Sequence, residues 1–149
     1  MSGLVKRKFF SRFIANGEYI VHSGVTMIWI DCIGQGGGGG GGATSGQQTS
    51  GGAGGGGAMS WAVFNAADIP LTSGVRKLDV DIGNTRGAGG TQSNNGQNGA
   101  TSIVKIPSGA TADGSKFILQ AFGGGGGAAG TGPASGAGGG GGGSRLFLS

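Results

Sequence analysis

Cys32 and His22 are the only cysteine and the only histidine in the chain, so they are the one pair that could form a nucleophilic dyad. Cys32 stands in the apolar run Ile28-Trp29-Ile30-Asp31-Cys32-Ile33, where a buried, inert thiol is the expected role. A lone cysteine leaves no intramolecular disulfide, and a lone histidine no histidine metal cage. Asp79 and Asp81 resemble paired carboxylates, yet they alternate with Lys77 and suit the solvated face of a strand. Matches to Gly-x-Gly-x-x-Gly are unavoidable in so glycine-rich a chain, and no Gly-Lys pair exists to build a phosphate loop. The sequence predicts no enzyme, no cofactor and no metal.

The remaining candidate chemistry is attachment. Four of the ten basic residues, Lys6, Arg7, Lys8 and Arg12, crowd near the N-terminus, and the other six balance six acids. Interleaved with them are Phe9, Phe10 and Phe13. Residues 1–15 thus read as an anchoring arm, and residues 16–149 as a glycine-rich β domain. A solvated tail, a contact with an acidic protein surface and a contact with nucleic acid all remain open for the arm. Nucleic acid is disfavoured because the basicity is not spread over a folded face. No run approaches the ~20 apolar residues of a membrane span. Ser11, Arg12, Asn16 and Glu18 interrupt any signal-peptide core, so a cytoplasmically made protein without a secretory signal is expected.

The elements behind the arm read as strands. Glu18–Val21 is a short β-like run closed by Ser23-Gly24. Thr26–Ile33 carries apolar residues on both faces, with Ile28, Ile30 and Cys32 opposed to Met27 and Trp29, which predicts a strand covered on both sides. Trp61–Asn65, Arg76–Ile82, Thr101–Ile106, Lys116–Phe122 and Arg145–Leu148 complete the set. The clearest alternation is Leu78, Val80 and Ile82 facing in. Gly83–Gly99 reads as a polar loop, Pro107, Ser108, Gly109 and Gly114 as turn chemistry, and no helix is expected.

Glycine occupies 41 of 149 positions, with 15 of 24 in Gly34–Gly57 and 14 of 22 in Gly123–Ser144. A flexible linker is the plain reading of such tracts. Against it, each tract lies between single strands, and no charge occurs between Asp31 and Asp68 or between Lys116 and Arg145. The alternative is an extended three-residue helix of the polyproline type, packed against copies of itself so that bare backbones bond laterally. A Cβ would push such neighbours apart, so Gly39→Val is expected to destabilise the protein, whereas Ala43 and Ser50 belong on the rim. The fold class is therefore all-β, a small sandwich-like core carrying packed polyglycine type II helices.

Gly17 through Gly34, with the turn His22-Ser23-Gly24-Val25 and the β-run Thr26–Ile33 leading into poly-Gly, resembles the opening of the glycine-rich domain of bacteriophage tail and virion proteins. The family's turn proline is absent here. Gly54–Ala58 before Trp61–Asn65, Val80-Asp81-Ile82-Gly83, Gly99-Ala100-Thr101-Ser102, and Leu119-Gln120-Ala121-Phe122 before the second tract follow the family's order. The resemblance spans roughly residues 17–144 and implies a virion structural protein, a small module on the tail tip or fibre with a role in host attachment. A capsid decoration or head-fibre protein of the same family, and a free glycine-rich protein of the ice-binding kind, are the alternatives. Partners implied are other virion proteins, a host surface receptor and further copies of the chain, a trimer being favoured.

Overall fold

The computed structural model describes residues 9–43, 49–107, 117–131 and 134–146. Lys6, Arg7 and Lys8, the turn residues Ser108, Gly109 and Gly114, and Phe147 and Leu148 lie outside the described residues. Among those described the chain is all-β, with β1 (Gly17–Ile20), β2 (Met27–Ile33), β3 (Met59–Asn65), β4 (Leu71–Thr72), β5 (Val75–Asp81), β6 (Ser102–Lys105), β7 (Phe117–Ala121) and β8 (Ser144–Leu146). One 3-10 turn, Ala66–Asp68, follows β3.

The strands form two antiparallel sheets. In the larger, β1-β5-β6-β7-β8 are neighbours in that order and β4 also pairs with β5, while β2 and β3 make a two-stranded ribbon. Strand alternation decides what lies between them. Leu78 and Val80 of β5, Val104 of β6, and Leu119 and Ala121 of β7 are buried with Ile28 and Cys32 of β2 and Ala62 of β3. β2 packs over β6 and β7, and β3 over β7 and β8. The β4–β5 connection is Ser73-Gly74, with φ of 52° and 84°; glycine at the second position accepts that left-handed conformation without penalty.

Two expectations need correction. The outer face of β2 is not covered by the described residues: Met27, Trp29 and Ile33 are exposed. The supposed polar loop over Gly83–Gly99 is also no loop. It forms two of six laterally bonded segments, covering residues 34–43, 49–58, 85–93, 94–100, 122–131 and 134–143.

The lateral bonds recur every third residue. Gly34, Gly37, Gly40 and Ala43 donate their amides to Ala58, Gly55, Gly52 and Thr49. Gln35, Gly38 and Gly41 donate in a second direction, to Ala100, Gln97 and Asn94. The carbonyls of Gly36, Gly39 and Gly42 accept from Gly87, Gly90 and Ser93, and those of Gln35, Gly38 and Gly41 accept from Gly124, Gly127 and Gly130. The first segment therefore bonds to the second, third, fourth and fifth. The fifth bonds in turn to the first, second, fourth and sixth. This connectivity arranges the six in two layers of three: third-first-second over fourth-fifth-sixth. Burial from the end of β7 through the fifth segment follows the same period, at Ala121, Gly124, Gly127 and Gly130.

Sterics assign the glycines to the same geometry. A Cβ on Gly37, Gly38, Gly40 or Gly41 would stand under 3.0 Å from a carbonyl oxygen of a neighbouring segment, a separation that packed atoms do not adopt. At Gly39 the nearest atom would be the carbonyl oxygen of Gly52 at 3.4 Å, and at Gly140 there is open space. The expected steric penalty at Gly39 thus belongs to its neighbours. Gly38→Ala and Gly40→Ala are each expected to cost about 2 kcal/mol or more, as overpacked sites do. Gly39→Ala and Gly140→Ala should stay within about 0.5 kcal/mol of the parent. Urea denaturation of the four variants checks this, and equal losses at all four would refute the three-residue pattern.

Candidate functional site

The topology gives the molecule two poles. Strands β2, β5 and β7 run directly into the first, third and fifth segments, and the second, fourth and sixth segments run back into β3, β6 and β8. The described ends of the paired segments, Ala43 with Thr49, Ser93 with Asn94 and Thr131 with Ala134, therefore share one pole. The β1–β2 turn, the 3-10 turn and the β4–β5 turn gather at the other.

At the sheet pole lies a cleft of about 430 Å³ lined in part by Val21, His22, Ala67, Leu71 and Arg76. His22 is exposed and stacks on Phe9, ring centroids 4.8 Å apart and 28° from coplanar. Tyr19 meets the same imidazole edge-on at 6.5 Å. Phe13 lies half-buried with its ring edge 3.1 Å from where a Cβ on Gly17 would stand. Asn16 fixes the end of this stretch: its Oδ1 accepts the amide of Ile82 at 2.8 Å, where β5 passes into the third segment. Phe10 is 90% exposed and Arg12 is exposed as well. Of the seven residues proposed from sequence for anchoring, Phe9 and Phe13 thus lie against the domain, and Phe10 and Arg12 point away from it.

At the other pole the described side chains are uncharged hydrogen-bonding groups. Asn94 donates from Nδ2 to the Thr91 hydroxyl at 2.9 Å and to the Gln92 carbonyl at 3.1 Å, closing the tight connection that carries Ser93 at φ 61°. Gln92 donates from Nε2 to the Ala43 carbonyl at 3.2 Å, tying this connection to the end of the first segment. Thr131 and Ala134 form a bridge between the ends of the fifth and sixth segments, with 3.2 Å bonds in both directions. Ser50 and Ser135 complete the rim, while the Thr49 hydroxyl turns inward and is buried beside Gly130.

Elsewhere three titratable groups are occupied with structure. Cys32 is buried, and desolvation pushes its thiol up, against a smaller opposing pull from a hydrogen bond with the Ala121 backbone. Lys77 pairs with Glu18 at 2.7 Å and Lys105 with Asp81 at 2.6 Å. Each hydrogen bond holds its ammonium above the ordinary lysine value. Among the described residues no three His, Cys, Asp or Glu side chains are placed to hold a metal ion, and no helix is long and apolar enough to cross a membrane. No family model, curated protein or solved structure matches the chain.

Two asparagines missed from the sequence support the segments between the poles. Asn98 Oδ1 accepts the Gly126 amide and Asn95 Oδ1 the Ala129 amide, both at 2.8 Å. They serve the residues of the fifth segment whose amides face neither the first nor the sixth. Their spacing of three, in step with Gly96 and Gly99, was the available signal.

Two outcomes follow for this region. Replacing Asn95 or Asn98 by Ala should cost about 1 kcal/mol each, the usual worth of such a bond, and Asp should restore most of it by keeping the acceptor. A thermal denaturation series with Ala as damaging as Asp would separate the loss from the missing acceptor. The raised Cys32 thiol should resist disulfide reagents at pH 8 until the protein unfolds. Its contribution to stability is complete below the ordinary thiol value of 9.0. That contribution fades as pH rises toward the folded value, because the unfolded thiol ionises first. Rapid labelling of native protein would contradict the burial.

Proposed function

We propose that the chain is a bacteriophage virion structural module, fixed to its particle at the sheet pole through residues 1–15 and displaying the opposite pole outward. Its glycine segments are packed polyglycine type II helices set on a small β-sandwich. The observation that carries the reading is the three-residue period of the lateral bonds. A helix with three residues per turn and no internal hydrogen bonds turns its amides outward in three directions, and these segments bond in two or more. Among the described glycines only Gly24 and Gly74 have positive φ, so the tract backbones keep to one hand, unlike a freely sampling glycine linker.

The separation of the poles supports the division of labour. An arm with exposed Phe10 and Arg12 offers apolar and cationic contact to another virion protein. The outward pole, rigidly tied back to the segments, offers hydroxyl and amide groups without charge, chemistry suited to a neutral polar surface such as carbohydrate. Catalysis has no place in this reading: Cys32 is enclosed in the core and serves packing.

Purified particles made from the genome that encodes the chain test it. Mass spectrometry should find the protein in them, and antibody-labelled electron microscopy should place it at the tail. Label on the head would move the module to the capsid, and absence from the particle would end the virion reading. Deleting residues 2–12 should leave a cooperatively folding domain that no longer enters particles. Normal incorporation of that truncation would overturn the anchoring role.

A further inference from the structure

The outer face of the β2–β3 ribbon is apolar along nearly its whole length. Met27, Trp29 and Ile33 of β2 and Met59, Trp61 and Val63 of β3 all point away from the core, and all six are exposed, Trp29 by 68% and Trp61 by 61%. Register makes the patch continuous, with Trp29 opposite Val63 and Ile33 opposite Met59. The two indole rings lie 5.9 Å apart across the strands. The one charged group on this face, Asp31, sits opposite Trp61 and accepts a 2.7 Å hydrogen bond from Trp29 Nε1.

We infer that a second copy of this chain covers this face, ribbon against ribbon. Size is the first argument. Taking roughly 200 Å² per residue, the middle of the aromatic range and a generous figure for Met, Ile and Val, the exposed fractions sum to at most about 700 Å². That upper figure exceeds the roughly 300–600 Å² of the largest patch on a typical monomer and approaches the ~800 Å² each partner contributes to a standard interface.

Charge is the second argument. A self-complementary contact places like on like, and here the like groups are neutral apart from an aspartate that already holds a donor. An acidic partner would find nothing complementary, and a basic or strongly polar one only Asp31 amid six apolar side chains. The third argument is the strand itself. Apolar residues on both faces mark a strand enclosed on both sides, and the described residues enclose only one, leaving the outer faces of β2 and β3 open. The inference is independent of the virion reading, since it concerns only how copies of the chain meet.

The chain contains only two tryptophans, Trp29 and Trp61, so its tryptophan fluorescence, excited where Tyr19 does not absorb, reports on this face alone. Full-length protein at tens of micromolar should scatter light with a mass at least twice 14.2 kDa. Its tryptophan emission should be blue-shifted and shielded from acrylamide. The double variant Trp29→Lys, Trp61→Lys should run as a monomer with unchanged amide protection in the tract segments. A wild-type monomer with water-like, readily quenched emission overturns the inference. An oligomer with water-like emission, or one whose mass survives the double substitution, overturns it equally by placing the contact elsewhere. Should the variant fail to fold, mass and quenching of the wild-type protein still decide.

Discussion

Where a neighbouring carbonyl oxygen stands relative to the place a side chain would begin is the constraint on which this molecule is built. In the β layer the two sheets keep their usual separation because Ile28, Cys32 and Ala62 on one side and Leu78, Val104 and Leu119 on the other fill the space between. Packed sheets stand about 10 Å apart for this reason. Beyond Ile33 and Ala121 the fillers vanish, and the same chains draw together until backbone bonds to backbone. A strand forms hydrogen bonds within one plane, whereas the tract segments form them between planes as well. Ordering glycine costs more entropy than ordering any other residue, and what offsets that cost is a backbone whose polar groups find partners over the length of each segment.

The same constraint explains why glycine content varies among the segments. The first segment, with four neighbours, needs glycine at two positions in three, as Gly37, Gly38, Gly40 and Gly41 show. The sixth, bonded to the second and fifth, needs it at Gly136, Gly139 and Gly142, and its other glycines face open or loosely occupied space. In the fourth, Gly96 and Gly99 suffice, leaving room for Asn95 and Asn98 to extend acceptors toward the fifth. A segment's place in the stack is thus written in the spacing of its glycines and not in their number.

Much of the fold was legible because local alternation governs it. Leu78 and Val80 mark the inner face of β5 as plainly in sequence as in space, and the boundaries of most strands follow from where apolar runs give way to glycine. The third and fourth segments escaped notice because Asn, Gln, Ser and Thr dilute their glycines into the look of a loop; only the interval between Gly87 and Gly90, and between Gly96 and Gly99, betrays them. The β4 strand was too short to carry a pattern. At the arm, the mixture of charge and aromatics was visible, but the stacking of Phe9 on His22 depends on the chain reversing through the bend at residues 14–16 before β1, which no local signal encodes. The open face of β2 was misread for a related reason, since alternation tells which residues need cover and not which chain supplies it.

The three-residue interval of the lateral bonds also acts as a ruler. Lengthening one segment by a single residue would turn every later amide away from its acceptor. On the polyglycine type II geometry proposed above, adding three residues to each segment of a pair would instead move the intervening tip outward by one turn, about 9 Å at 3.1 Å per residue, and return each amide to its accustomed direction. Reach in such a protein comes in fixed steps, and the tips can be carried farther from the sheets without redrawing anything beneath them.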